Sequence, residues 1–163
     1  MGLFVSETQR IERATAEGFL RLFNQQFGAD KIVELGDAPD VRCQDSDDRA
    51  LNLEITQTED RRLDIQAAMG RSGYRNAENV RTSSPGSSLR DNVLAQVAER
   101  INRKLLIKYG ASTALVVRDT SGVEWDWSVV IEGLKTELDA AQNSFDKGIW
   151  ILNRPKTKLY QVI

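Results

Sequence analysis

Histidine is absent from this 163-residue sequence, and cysteine occurs once, at Cys43. A Ser-His-Asp triad, a Cys-His pair and a histidine-ligated zinc site are therefore excluded, and one thiol cannot build a thiolate zinc cage. A lone cysteine also cannot form an internal disulfide, as expected in a reducing compartment. Any catalysis must rely on carboxylates, hydroxyls, lysines, arginines or a hard metal ion.

Long apolar runs are also missing. No segment approaches the roughly 20 apolar residues of a membrane span, and the amino terminus lacks a basic-then-apolar signal sequence. We therefore expect a cytoplasmic protein that does not associate with membranes. The length and the apolar fraction of 40% are those of an ordinary globular domain with its own core. The sequence predicts a single domain over residues 1–163.

Charge is nearly balanced but unevenly distributed. The net charge of −2 argues weakly against a protein that coats nucleic acid. Acids predominate between Asp30 and Asp60, whereas arginines predominate between Arg61 and Arg90 and the tail is basic. An acidic pocket flanked by cationic segments is typical of a metal site that receives a phosphate backbone. Ordinary solvated surface charge is the alternative.

Hydrophobic periodicity predicts an α/β protein whose elements run helix, three strands, helix, strand, helix, strand. An apolar stripe of helical period predicts the first helix, and alternation from Ala50 to Gln57 predicts a strand that places Glu54 and Thr56 on one face. The polar, arginine-rich stretch 58–88 predicts a long loop or excursion. The predicted helices are Ser6–Phe27, Leu89–Tyr109 and Trp125–Ala141, and the other predicted strands are Lys31–Leu35, Asp40–Gln44, Ala114–Arg118, Gly148–Leu152 and an edge strand at Lys158–Ile163.

Two acids stand at either end of a predicted hairpin. Asp40 follows Pro39, and Glu54 comes after thirteen intervening residues. Neighbouring antiparallel strands would bring the two carboxylates together, and close carboxylates repel one another unless a cation lies between them. Mg²⁺ (or Mn²⁺) suits hard oxygen ligands and keeps waters for chemistry. The alternative is that Asp40 caps the turn and Glu54 is a polar residue on an exposed sheet face.

The residues Pro39-Asp40 and Glu54-Ile55-Thr56, in this order of elements, resemble the PD-(D/E)XK phosphodiesterase superfamily. The resemblance extends from about Ser6 to Arg118 and rests more on the order of elements than on the motif. It implies a restriction-endonuclease-like αβββαβ core, a central mixed sheet flanked by helices, and a DNA endonuclease in which Asp40, Glu54 and the Ile55 carbonyl bind magnesium. Nucleases of this class often dimerise, which makes a homodimer a candidate assembly, although no segment identifies an interface.

The sequence departs from the family at Thr56, which stands where the family has lysine. Threonine cannot supply the positive charge that positions or activates the attacking water. Some members carry the basic group on the helix after the third strand, and Arg90, on the inward stripe at the start of that helix, is our candidate. The alternative for Arg90 is a salt bridge or a surface role. Lys104 and Lys108 lie on a similar face but about three or more turns further along.

A third acid often comes from the first helix in this family, and two residues compete for that role. Glu17 lies between two arginines at four-residue spacing, a pattern typical of a solvated ion-pair ladder. Glu12 lies on the apolar stripe, where a carboxylate needs a partner and a metal could serve. We favour Glu12 as a metal ligand, the alternative being that it only marks the edge of the stripe.

The sequence thus predicts a magnesium-dependent DNA endonuclease, a hydrolase of phosphodiesters. The missing lysine and the negative net charge favour an alternative, a nuclease-fold module that has lost catalysis and serves in DNA binding or protein assembly. A protein-interaction domain without any nucleic-acid role is a third hypothesis. Trp125 and Trp127 could stack bases, although two tryptophans at a helix start are also typical of packing.

Overall fold

A computed structural model of the protein describes residues 6–37, 39–58, 89–121, 125–138 and 143–163, with side chains in the helix that begins at Leu89 described from Val93 onward. Apart from Thr58, the predicted excursion 58–88 lies outside the described residues, as does the side chain of Arg90. The described elements are helices α1 (Glu7–Phe23), α2 (Leu89–Leu105) and α3 (Trp127–Glu137) and strands β1 (Lys31–Leu35), β2 (Val41–Gln44), β3 (Ala50–Gln57), β4 (Thr113–Arg118), β5 (Ile149–Leu152) and β6 (Leu159–Gln161).

The six strands form one mixed sheet in the order β1-β2-β3-β4-β5-β6. The pairs β1–β2, β2–β3 and β5–β6 are antiparallel, whereas β3–β4 and β4–β5 are parallel. In the chain, α2 lies between β3 and β4, and α3 lies between β4 and β5, as parallel neighbours require a crossover. The predicted α/β class, with a mixed sheet flanked by helices, is confirmed, and the finer restriction-endonuclease-like assignment stays a prediction.

Two hydrophobic clusters lie on opposite faces of this sheet. One joins α1 to the sheet through Phe19, Leu53 and Val116, and the other joins α2 and α3 to it through Ile101 and Leu115. Neighbouring residues of β4 fall into different clusters because successive side chains of a strand point to opposite faces. Glu54 pairs with Leu115 in the register of β3 and β4, so it shares the face covered by α2.

Helix boundaries differ from the predicted ones at the carboxyl ends. Ser6 caps α1 in a capping box with Gln9, as its sequence position predicts. The helix ends at Phe23 rather than Phe27, because the Asn24 side chain accepts the N–H of Asp30 at 3.0 Å and donates to its carbonyl at 2.9 Å, which turns the chain toward β1. Likewise α2 ends at Leu105 and α3 at Glu137, short of the predicted Tyr109 and Ala141.

None of the helices within the described ranges is both long and apolar enough to cross a membrane.

Candidate functional site

The register of β2 and β3 places the two predicted acids beside each other. Val41 is the partner of Leu53, so Asp40, one residue earlier, lies opposite Glu54, one residue later, on the same side of the sheet. The Oδ2 atom of Asp40 accepts the backbone N–H of Ile55 at 2.8 Å. The hairpin therefore brings the carboxylates of Asp40 and Glu54 to one end of β2, as their positions in the sequence predict.

Glu54 is an unusual side chain for the interior of a sheet. It is only 4% exposed, and the Nζ atom of Lys104 in α2 lies 3.6 Å from its Oε2 atom. Its Oε1 atom is buried and has no hydrogen-bond partner among the described residues. Because buried carboxylate oxygens are nearly always paired, this oxygen is suited to receive a further cation or donor.

The electrostatics of the pair show an excess of negative charge. Burial raises the pKa of Glu54, the charge of Asp40 raises it further, and Lys104 opposes both effects. Burial also raises the pKa of Asp40, against the lowering effect of the Ile55 N–H and of Lys104. One ammonium group thus does not compensate the two carboxylates, and a divalent cation between them would lower both pKa values.

Glu12 of α1 belongs to the same electrostatic cluster. Its pKa is raised to about 7, first by burial and then by the charges of Asp40, Glu54 and Asp37. Glu17, the competing candidate, is exposed and forms an ion pair with Arg13 at 3.2 Å. Of the two acids in α1, Glu12 is therefore the one whose pKa is raised by the charges of Asp40 and Glu54.

The donor set fits a hard divalent ion that keeps part of its water shell. In the described part of the chain, no three acidic or cysteine side chains converge closely enough to hold a metal by themselves. The Ile55 carbonyl can supply a further oxygen, because the N–H and C=O of a strand residue point to the same side and its N–H points to Asp40. Two carboxylates, one carbonyl and several waters are ligands that Mg²⁺ or Mn²⁺ accepts.

Lys104 is the basic residue that the structure brings to the acidic pair. Arg90, the predicted basic group, lies in the first turn of the same helix, about 21 Å away along the helix axis, and its side chain lies outside the described residues. Lys104 lies in the last turn of α2, and this turn reaches Glu54 in the middle of β3. No local pattern in the sequence indicates which turn of the helix covers that residue.

A cleft of about 360 Å³ opens next to the pair. The residues that line it include Glu12 of α1, Thr56 and Gln57 at the end of β3, Arg100 of α2 and Arg118 of β4. Thr56 thus lies in the cleft where the family has lysine, and two arginines lie nearby. The cleft adjoins the acidic pair through Ile55, which lines it and donates its N–H to Asp40.

Three other residues singled out in the sequence lie in or against the hydrophobic clusters. Trp127 is fully buried, and its indole N–H donates to the carboxylate of Asp119 at 3.1 Å. Cys43 is buried in the cluster under α1, and burial raises the pKa of its thiol to about 12. Trp125 is partly buried against the other cluster and lines a separate cleft.

Comparison with known protein families, curated proteins and solved structures finds no match to this chain. The resemblance to the PD-(D/E)XK superfamily therefore rests on the order of elements and on the Asp40–Glu54 pair. Because one fold can host unrelated activities, the function has to be argued from the chemistry of this site.

Proposed function

We propose that the protein is a metal-dependent nuclease that hydrolyses phosphodiester bonds in DNA with Mg²⁺ or Mn²⁺. The observation that carries the proposal is the buried carboxylate of Glu54, which has one unpartnered oxygen and lies beside Asp40. Burying like charges together costs free energy, and proteins retain such arrangements mostly where function requires them.

Asp40, Glu54 and the Ile55 carbonyl would hold the ion. Bound there, it would act as a Lewis acid on the phosphate and lower the pKa of a coordinated water. The ammonium group of Lys104 lies 3.6 Å from the Glu54 carboxylate. From this position it can also orient a water or a phosphate oxygen at the edge of the site. Lys104 thereby takes the role that Thr56 cannot fill.

Glu12 and the two cleft arginines complete the division of roles. Without an ion the pKa of Glu12 is raised to about 7, partly by the charges of Asp40 and Glu54. An ion bound to those two carboxylates would lower it, so Glu12 would then be a carboxylate that can accept a proton from water. Arg100 and Arg118 line the adjoining cleft, where guanidinium groups can bind the non-bridging oxygens of a phosphate.

The proposal is tested by incubating the protein with supercoiled, linear duplex and single-stranded DNA in Mg²⁺, in Mn²⁺ or in EDTA. Asp40→Asn, Glu54→Gln and Lys104→Met should each reduce cleavage by about 10²-fold or more, the scale of a lost catalytic group. The matched controls are Glu17→Gln, at an exposed residue of α1, and Lys108→Met, at an exposed residue three positions after the end of α2; both should cleave like the wild type. Intact DNA in every form, together with no Mn²⁺ binding by calorimetry, would contradict the proposal.

A second candidate is a nuclease-fold module that binds DNA or assembles with proteins without catalysis. It is favoured by Thr56 in the lysine position and by the lack of a three-acid group among the residues that the structure describes. This candidate predicts salt-dependent DNA binding without cutting. It also predicts that Asp40→Ala leaves the biological role intact, whereas a nuclease would lose it.

A further inference from the structure

A second cleft, of about 260 Å³, lies at the carboxyl ends of β4 and β5. Three cationic residues line it: Arg118 at the end of β4, and Arg154 and Lys156 in the turn after β5. Arg118 also lines the cleft next to the acidic pair, so the two clefts share a wall. The carboxyl ends of parallel strands are a common place for ligands in α/β proteins.

The turn that carries Lys156 is built by Asn153. The Oδ1 atom of Asn153 accepts the N–H groups of Thr157 at 2.8 Å and of Lys158 at 2.9 Å, and its carbonyl accepts the N–H of Lys156 at 3.0 Å. Lys156 itself has φ of 57°, in the left-handed region that lysine seldom adopts. The network around Asn153 therefore fixes a lysine backbone that would be unfavourable in a free chain.

The side chain of Lys156 is held against α1. A Cβ atom at Gly18, in the middle of that helix, would lie 2.8 Å from the Cδ atom of Lys156. The guanidinium of Arg21, one turn later, donates to the Lys156 carbonyl. Glycine in the interior of a helix is less favourable than alanine by about 1 kcal/mol. At Gly18 the absence of a side chain leaves the space that the aliphatic part of Lys156 occupies. The cation at this cleft is thus positioned by two elements.

Among the described residues that line this cleft, one carboxylate accompanies three cationic side chains, so the acid offsets only part of the positive charge. Asp119 is 7% exposed, and its carboxylate accepts the N–H of Ser121 at 2.8 Å, the hydroxyl of the same serine, and the indole N–H of Trp127 at 3.1 Å. Arg154 donates to the neutral carbonyl of Ser121 at 3.4 Å. The cleft consequently presents positive charge to whatever occupies it.

We propose that this second cleft binds a backbone phosphate of the same DNA strand whose phosphodiester lies at Asp40 and Glu54. The inference rests on the proposed nuclease function, and it adds a binding site that holds the strand beyond the reacting bond. Guanidinium and ammonium groups suit the oxygens of a phosphate, and contacts of this kind set the position of a nucleic acid without selecting its sequence. A strand held at both clefts has one direction relative to the carboxylates.

The test is the salt dependence of DNA binding, measured in EDTA so that cleavage does not interfere. Anisotropy of a fluorescein-labelled 20-residue oligonucleotide, single-stranded and as a duplex, gives the slope of log K against log salt. One lost phosphate contact should reduce this slope by about 0.7 for the single strand or about 0.9 for the duplex, which is about fivefold in single-strand affinity at 0.1 M salt. Lys156→Gln and Arg154→Gln should each show that loss. Lys135→Gln, at an exposed lysine of α3, should not.

Three outcomes would overturn the inference. One is an unchanged slope for both cleft variants with either form of DNA. Another is an equal decrease of the slope in Lys135→Gln, since the loss of any one positive charge would then explain the result. The third is Lys156-dependent binding of inorganic phosphate without a change in the DNA slope, since the cleft would then hold small anions. Arg154 is exposed, so its variant tests the site even if Lys156→Gln disturbs the turn.

The outcomes also separate this inference from the proposed nuclease function. If the wild type cuts no DNA but the slope falls in Lys156→Gln, the nuclease function fails and the phosphate site stands. If cleavage at subsaturating DNA requires Asp40 but is unchanged in Lys156→Gln and Arg154→Gln, the phosphate site fails and the nuclease function stands.

Discussion

Glu12 makes the metal-free protein less stable at neutral pH than at mildly acidic pH. Its pKa rises from 4.5 to about 7 on folding, and at about 1.4 kcal/mol per pKa unit the full difference corresponds to about 3.4 kcal/mol. Because Glu12 is partly exposed, solvent screening reduces this to about 1–2 kcal/mol. We expect Glu12→Gln to remove the penalty and to be more stable than the wild type at pH 7.5 by that amount.

The direction follows from proton binding. Between pH 4.5 and about 7 the folded protein keeps a proton on Glu12 that the unfolded chain has lost, so the free energy of unfolding falls as pH rises through this window. The raised pKa values of Asp40 and Glu54 act in the same direction. Asp146, whose pKa is lowered from 3.8, stabilises the fold above that value and loses this effect only at more acidic pH, below the window.

Urea unfolding in EDTA at pH 5.0, 6.0 and 7.5 measures the effect. The wild type should lose about 1–2 kcal/mol more than Glu12→Gln between the lowest and highest pH. Glu17→Gln removes the same charge from the exposed side of α1 and should follow the wild type. Identical pH profiles for Glu12→Gln and Glu17→Gln would refute the argument, as would a Glu12→Gln variant less stable than the wild type at pH 7.5.

Three further predictions concern individual contacts. Lys104→Met leaves the buried carboxylate of Glu54 without its cation. In urea unfolding we expect the free energy of unfolding to fall by about 2 kcal/mol at pH 7.5 and by less at pH 5. An equal decrease at the two pH values would contradict this prediction. Asp119→Ala leaves the buried indole N–H of Trp127 without its acceptor and should cost about 2–3 kcal/mol, measured by tryptophan fluorescence in urea. Cys43 is buried, with a thiol pKa of about 12, so iodoacetamide at pH 8 should label it quickly only after unfolding. Rapid labelling of the folded protein would show that the thiol is accessible.

Local pattern was sufficient for much of the fold. The predicted bounds of β1 and β3 agree with the structure, and the alternation of β3 correctly separates Leu53 from Glu54. These features depend on side-chain alternation within one strand, which the sequence displays directly. The end of α1 was predicted four residues too late, because the apolar stripe continues to Phe27 while the side chain of Asn24 ends the helix. The hydrogen bonds of one side chain thus outweigh the periodicity.

The acidic pair was accessible to sequence reasoning because its geometry is local. A hairpin joins Asp40 to Glu54, and the pairing of Val41 with Leu53 sets both carboxylates on one side of the sheet. The basic partner was not accessible in the same way. The position of α2 along β3 decides which turn of the helix covers Glu54. That position is set by packing across the whole sheet.

The sequence by itself therefore determined the order of elements, the absence of histidine chemistry and the pairing of Asp40 with Glu54, since each depends on composition or on neighbouring strands. Only the tertiary structure placed Lys104 against Glu54, and only it brought the cleft residues Arg118 and Lys156 together from different elements. Contacts between residues far apart in the chain arise from the packing of helices on both faces of the sheet, and no local pattern encodes them.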